Sequence, residues 1–161
     1  MEIKIGETVL DIKKAQIGNK TEIVLSGVVD EYSKLERIST ASAQEISVNC
    51  RGVTRINSPG VKDWKRFFES QRELGIKLSF SEISPALITQ FNFITGLINK
   101  EECLSICMPF VCEQCHADII KIYPVSLTSK TEFKDLKEVC SKCSNLLEFN
   151  ENFDEYSTFF R

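Results

Sequence analysis

The sequence predicts an α/β fold, a mixed sheet with helices packed on one face, followed by a small β appendage. Two observations carry this reading. Strand-like and helix-like segments alternate through residues 21–98, and two Cys-x-x-Cys pairs, Cys112-Glu-Gln-Cys115 and Cys140-Ser-Lys-Cys143, stand near the C-terminus. In a chain of 161 residues the first pattern fills one ordinary core, and the pairs sit where a piece too small to support itself needs a staple. The expected division is residues 1–110 and 111–161.

A first strand is expected near Glu7-Thr-Val-Leu-Asp-Ile12. Thr21-Glu-Ile-Val-Leu-Ser-Gly27 reads as the next, its β-branched and aliphatic residues leading to a glycine. Between Ser33 and Thr40, Leu35 and Ile38 lie three apart, which predicts a short amphipathic helix. Glu45-Ile-Ser-Val-Asn-Cys50 alternates as a strand and should lead into a loop over Arg51–Ile56. The helix from about Pro59 to Leu74 has Ser58 as its expected cap, proline at the first position and Gly75 as its stop. Its apolar stripe is Val61, Trp64, Phe67 and Phe68, a core pattern.

Ile76-Lys-Leu-Ser-Phe80 alternates as another strand, and Ser84-Pro85 repeats the cap-and-proline device. Leu87, Ile88, Phe91 and Ile94 give the second helix its apolar face before Gly96. Right-handed crossovers between parallel strands put both helices on one side of the sheet. Cys103–Val111 should run as a last strand straight into the first cysteine pair, and Ile119–Val125 and Leu146–Phe149 suit ribbon strands.

A two-residue gap lets both sulfurs of a pair converge on one metal ion, and two complete pairs close a tetrahedral thiolate site. Cys112, Cys115, Cys140 and Cys143 are therefore the expected ligands of one structural zinc. A catalytic zinc keeps an open position, which two full pairs do not leave. His116, the only histidine, reads as a surface side chain beside the finished site. Cys50, Cys103 and Cys107 read as small buried hydrophobes, since their spacing matches no iron–sulfur pattern.

The N-terminus, Met1-Glu-Ile-Lys-Ile-Gly-Glu7, lacks the apolar core of a signal peptide, so the cysteines point to a reducing cytoplasm. No apolar run approaches the roughly 20 residues that cross a bilayer, so no membrane insertion is expected. Net charge is −3, and residues 112–161 hold six Lys/Arg against nine Asp/Glu. An acidic metal module opposes the phosphate contacts that supply most non-specific nucleic-acid affinity. No Walker or dinucleotide glycine pattern is present, and one histidine without a nucleophile elbow argues against a hydrolase triad. Non-enzymatic function is the expectation.

Three segments resemble the STAS domain, the fold of bacterial anti-sigma factor antagonists. Leu25-Ser-Gly-Val-Val-Asp30 resembles the family's strand end. Val53-Thr-Arg-Ile-Asn-Ser-Pro-Gly-Val61 resembles its Asp-Ser-Ser-Gly loop opening a helix, and Ile83–Leu97 is similar to its late helix. The resemblance spans roughly residues 5–107. It implies that a serine kinase, itself an anti-sigma factor, phosphorylates the serine at position 58 to control partner binding. A capping role for Ser58 alone is the competing reading. Asn57 stands where the family has aspartate, and Pro59 where a small residue is usual.

The combined expectation is a bacterial signalling protein that binds a regulatory partner, kinase-like or otherwise, through the loop around Asn57, Ser58 and Gly60. Arg55, Lys62, Lys65 and Arg66 offer a basic patch nearby, and the zinc ribbon adds a second contact surface. Two alternatives remain: a ribbon that binds nucleic acid or a polymerase, and a soluble adaptor of a membrane transport complex. Oligomeric state is left open.

Overall fold

Period-2 alternation of apolar residues builds the first sheet. In β2 (Lys20–Val29) Thr21, Ile23 and Leu25 are buried, and in β3 (Glu45–Ile56) so are Ile46, Val48 and Cys50. The residues between them face the other side, half-buried or exposed, so one face of the sheet carries the core and the helices. The computed structural model describes residues 10–127 and 136–160. β1 (Asp11–Ile17) pairs antiparallel with β2, while β2, β3 and β4 (Lys77–Ser81) run parallel, giving the order β1-β2-β3-β4 in a mixed sheet.

Three expectations need correction. The first strand was expected over residues 7–12; Glu7 to Val9 lie outside the described residues, and the strand that forms is Asp11–Ile17. It is an edge strand exposed along most of its length, so it has no buried face to impose alternation. The helix expected over residues 33–40 is only a 3₁₀ turn, Leu35–Arg37, because Leu35 alone is fully buried and Lys34 enters it at φ 48°. The loop expected over Arg51–Ile56 is instead the second half of β3. Register shifts opposite Gly52 hide it, and Gly52 is required because a Cβ there would lie 2.6 Å from Ser26 Oγ.

The two helices follow most of their predicted stripes, except that Val61 and Ile94 are only partly buried and the second helix ends at Phe93, with Ile94 as its C-cap, three residues before Gly96. α1 (Ser58–Glu73) buries Trp64, Phe67 and Phe68, and α2 (Pro85–Phe93) buries Leu87, Ile88 and Phe91. Trp64 is the centre of the core: its ring lies 4.7 Å from Phe68, 5.8 Å from Phe80 and 6.1 Å from Phe91. Its indole N–H donates to the Leu97 carbonyl at 3.1 Å, which satisfies the one polar atom that burial would otherwise strand. Gly75, at φ 75°, stops α1, and the Ser84 hydroxyl caps α2 by accepting from Leu87 N–H.

The second sheet is antiparallel, in the order β6-β5-β7, from β5 (Ser105–Val111), β6 (Asp118–Pro124) and β7 (Glu148–Phe149). β5 joins the two sheets. Leu104 N–H donates to Phe80 O at 2.8 Å, Ile83 N–H to Ser105 O at 3.0 Å and Cys107 N–H to Ile83 O at 2.9 Å, so the chain runs parallel beside the end of β4 before entering the ribbon. The buried residues accordingly form one cluster from Leu10 to Phe160. A short helix, α3 (Phe153–Tyr156), then returns the C-terminal segment to α2. Nothing in the sequence reading anticipated it; Asn152, whose side chain accepts from Asp154 and Glu155 N–H, is the local signal.

Candidate metal centre and the loop before the first helix

Each cysteine pair is shaped by its backbone before any metal is considered. Cys112 N–H donates to Ala117 O at 3.0 Å and His116 N–H to Cys112 O at 2.8 Å; Cys140 N–H donates to Asn145 O at 2.8 Å and Ser144 N–H to Cys140 O at 2.9 Å. The two turns are thus copies of one another, closing at His116 and Ser144 with φ 54° and 62°. β5 delivers Cys112 directly, and the Val139–Leu146 bridge frames the second turn.

The four sulfurs lie within 4.8 Å of one another, with Cys112 and Cys143 at 3.4 Å and Cys115 and Cys140 at 3.6 Å. A disulfide needs about 2.05 Å, so these are separate thiols. Tetrahedral thiolates about 2.3 Å from one zinc stand about 3.8 Å apart, and the cluster fits that spacing. Lys142 N–H points at Cys140 Sγ from 3.4 Å and lowers that thiol below its ordinary range. The Asn145 carboxamide does the same for Cys143 from 3.3 Å, with its backbone N–H assisting, and holds that thiol down to about 6. Donors aimed at these two sulfurs favour the thiolate, the form that binds metal, whereas Cys115, despite the Ala117 backbone N–H, is pushed up to about 12 by burial and by the three neighbouring thiols. His116 is exposed and is not among the clustered ligands.

Cys50, Cys103 and Cys107 are buried in the main core, and burial pushes the Cys103 thiol up to about 12 and Cys107 up to about 11. They are inert by this measure.

The other expected site begins with a correction. Asn57, rather than Ser58, caps α1: its side-chain oxygen accepts from Gly60 N–H at 2.9 Å, and Ser58 occupies the first helical position. Asparagine's carboxamide reaches an amide three residues on, and its nitrogen also donates to Glu31 at 2.8 Å, tying the loop after β2 to the loop after β3. That bond, helped by a backbone donor, keeps the Glu31 carboxyl below its usual range. Gly60 is buried because α1 starts on the backbone of β2, where a Cβ would lie 2.2 Å from Val29 O. Ser58 and Pro59 are exposed.

Of the basic side chains, Arg66 lies 2.9 Å from Asp63 and 3.7 Å from Glu36, and Lys65 lies 3.7 Å from Glu69. Arg55 and Lys62 are exposed and make no ion pair among the described residues. No described helix is long and apolar enough to cross a membrane. No family model, no curated protein and no solved structure matches this chain.

Proposed function

We propose that the chain is a non-enzymatic regulatory module of STAS-like type, which binds a signalling protein through the surface formed by the loops after β2 and β3 and carries one structural zinc on Cys112, Cys115, Cys140 and Cys143. The observation that carries the reading is the loop at Asn57–Gly60. Asn57 holds a rigid cap and reaches across to Glu31, so Ser58 and Pro59 are displayed on a fixed platform at the ends of parallel strands. Open α/β sheets place their binding surfaces at that end. Tyr32, 74% exposed, stands on the neighbouring loop and supplies an aromatic anchor of the kind that dominates interface energetics. Zinc supports the ribbon at β6 and β7, which are exposed or half-buried along most of their length.

Affinity capture by the tagged protein from extract of its native cell tests the reading, run beside Tyr32→Ala, Ser58→Glu and a control at the far end of α1, Leu74→Lys. Expected is a discrete protein retained by wild type and control and lost from both loop variants. Equal retention by all four would contradict the proposed surface.

A further inference from the structure

A second feature borders that surface. Between β1 and the segment after β2 lies an open groove of about 450 Å³, lined by the half-buried side chains of Ile12 and Ile38 and by the exposed Lys14, Tyr32, Lys34 and Arg37. No carboxylate lines it among the described residues. None of the three cations makes an ion pair with a described residue, although this is an acidic chain of net charge −3. Lys14 spends one donor on the Ser39 carbonyl; Lys34 and Arg37 are exposed.

The wall is built rather than loose. Asp63, a buried carboxylate on α1, accepts from Leu35 N–H at 2.8 Å and so pins the turn between Lys34 and Arg37 to the helix. Leu35 beneath it is fully buried, and the Asp30 side chain accepts from Tyr32 N–H at 2.9 Å, which orders the other end. An apolar centre flanked by a few charges on an ordered backbone is the make-up of a small interface patch, suited to a segment laid across the surface.

We propose that this groove takes an acidic segment of the partner protein, with an aliphatic side chain seated on Ile12 and Ile38 and carboxylates on Lys34, Arg37 and Lys14. The inference rests on the partner-binding reading above and names the chemistry of the partner. A polypeptide fits better than a nucleic acid. Three local cations cannot follow a continuous phosphate backbone, whereas they can meet two or three carboxylates of one short segment. Opposite charges with an apolar centre give register and partner choice.

The test pans a phage library of random dodecapeptides on the full-length, metal-loaded protein, then titrates the enriched peptide by fluorescence anisotropy against wild type and the Lys34→Glu/Arg37→Glu double variant. Expected are peptides rich in Asp and Glu around a Leu or Ile, with affinity about tenfold or more weaker in the double variant. Matching circular dichroism and metal content show that the variant is folded. Peptides without acidic enrichment, or equal affinity for both proteins, overturn the proposal. Displacement of the peptide by ATP or by a single-stranded oligonucleotide at concentrations below the peptide's own Kd also overturns it, since the groove would then be a phosphate site. The failures are separable in the capture experiment. A partner lost from Ser58→Glu but kept by the double variant removes the groove and leaves the surface; one kept by Ser58→Glu and Tyr32→Ala removes the surface.

Discussion

The Asn92 side chain receives and donates across the boundary between α2 and the C-terminal segment: its oxygen accepts from Phe159 N–H at 2.8 Å while its nitrogen donates to Glu155 O at 2.8 Å. Phe159 then packs on Phe91, ring centres 5.8 Å apart, and the Tyr156 hydroxyl reaches the Cys107 carbonyl. The segment that follows the second cysteine pair is thereby fastened back onto the first sheet's helix layer. Asn92→Ala should destabilise the protein by about 1–2 kcal/mol, with loss of amide-exchange protection concentrated at residues 156–160. Uniform loss of protection, or none, would show that the clamp is not the local tie described.

Capping of α1 separates two neighbouring residues. Asn57→Ala removes the acceptor for Gly60 N–H and should cost about 1 kcal/mol in a urea melt, whereas Ser58→Ala, at an exposed position with no capping bond, should stay within about 0.5 kcal/mol. The reverse order would return the cap to Ser58.

Gly60→Ala places a methyl against the β2 backbone, where the nearest atom, Val29 O, lies 2.2 Å from the new carbon. Neither a strand backbone nor a helix start yields easily, so the expected loss is about 1–3 kcal/mol in the same melt, with partner capture weakened because the loop must shift. An unchanged melting midpoint would mean that α1 does not start against the strand.

Buried thiols predict a loss of stability in alkali. From an ordinary value of 9.0, burial, with Glu102 adding to it, raises Cys103 to about 12; burial, with Glu82 adding to it, raises Cys107 to about 11. The unfolded chain therefore releases these protons near pH 9 while the folded chain keeps them. Fewer protons are bound in the unfolded state, so stability falls from about pH 9 until the folded thiols ionise, near 11 for Cys107 and near 12 for Cys103. Cys107→Ala should flatten the slope between pH 9 and 11; an equal slope in the variant would place the effect elsewhere.

Much of the first sheet and both main helices were readable because burial on one face writes a period into the sequence. Ile46, Val48 and Cys50 mark a strand, and Trp64, Phe67 and Phe68 a helix, since each set must face one core. Where that condition lapses the reading failed. β1 has almost no buried face, and the second half of β3 changes register at Gly52, so neither shows the alternation that marks a strand. The expected cap, Ser58, falls one residue late because Asn, Ser and Pro in succession allow two placements of the helix start, and only the Asn57–Gly60 bond decides between them. The cysteine cluster was legible from spacing alone, whereas the Asn92 clamp and the groove at Lys34 join residues far apart in the chain, which no local pattern reports.

The metal content of the purified chain tests the central claim most directly. Elemental analysis of protein expressed in zinc-supplemented medium should give one zinc per chain, and cobalt substitution should give the visible bands of a tetrahedral tetrathiolate. Cys112→Ser/Cys143→Ser should carry neither, with protection lost first in β6 and β7 and the first sheet retained. A wild-type chain that folds with four free, titratable thiols at these positions and no metal would contradict the account.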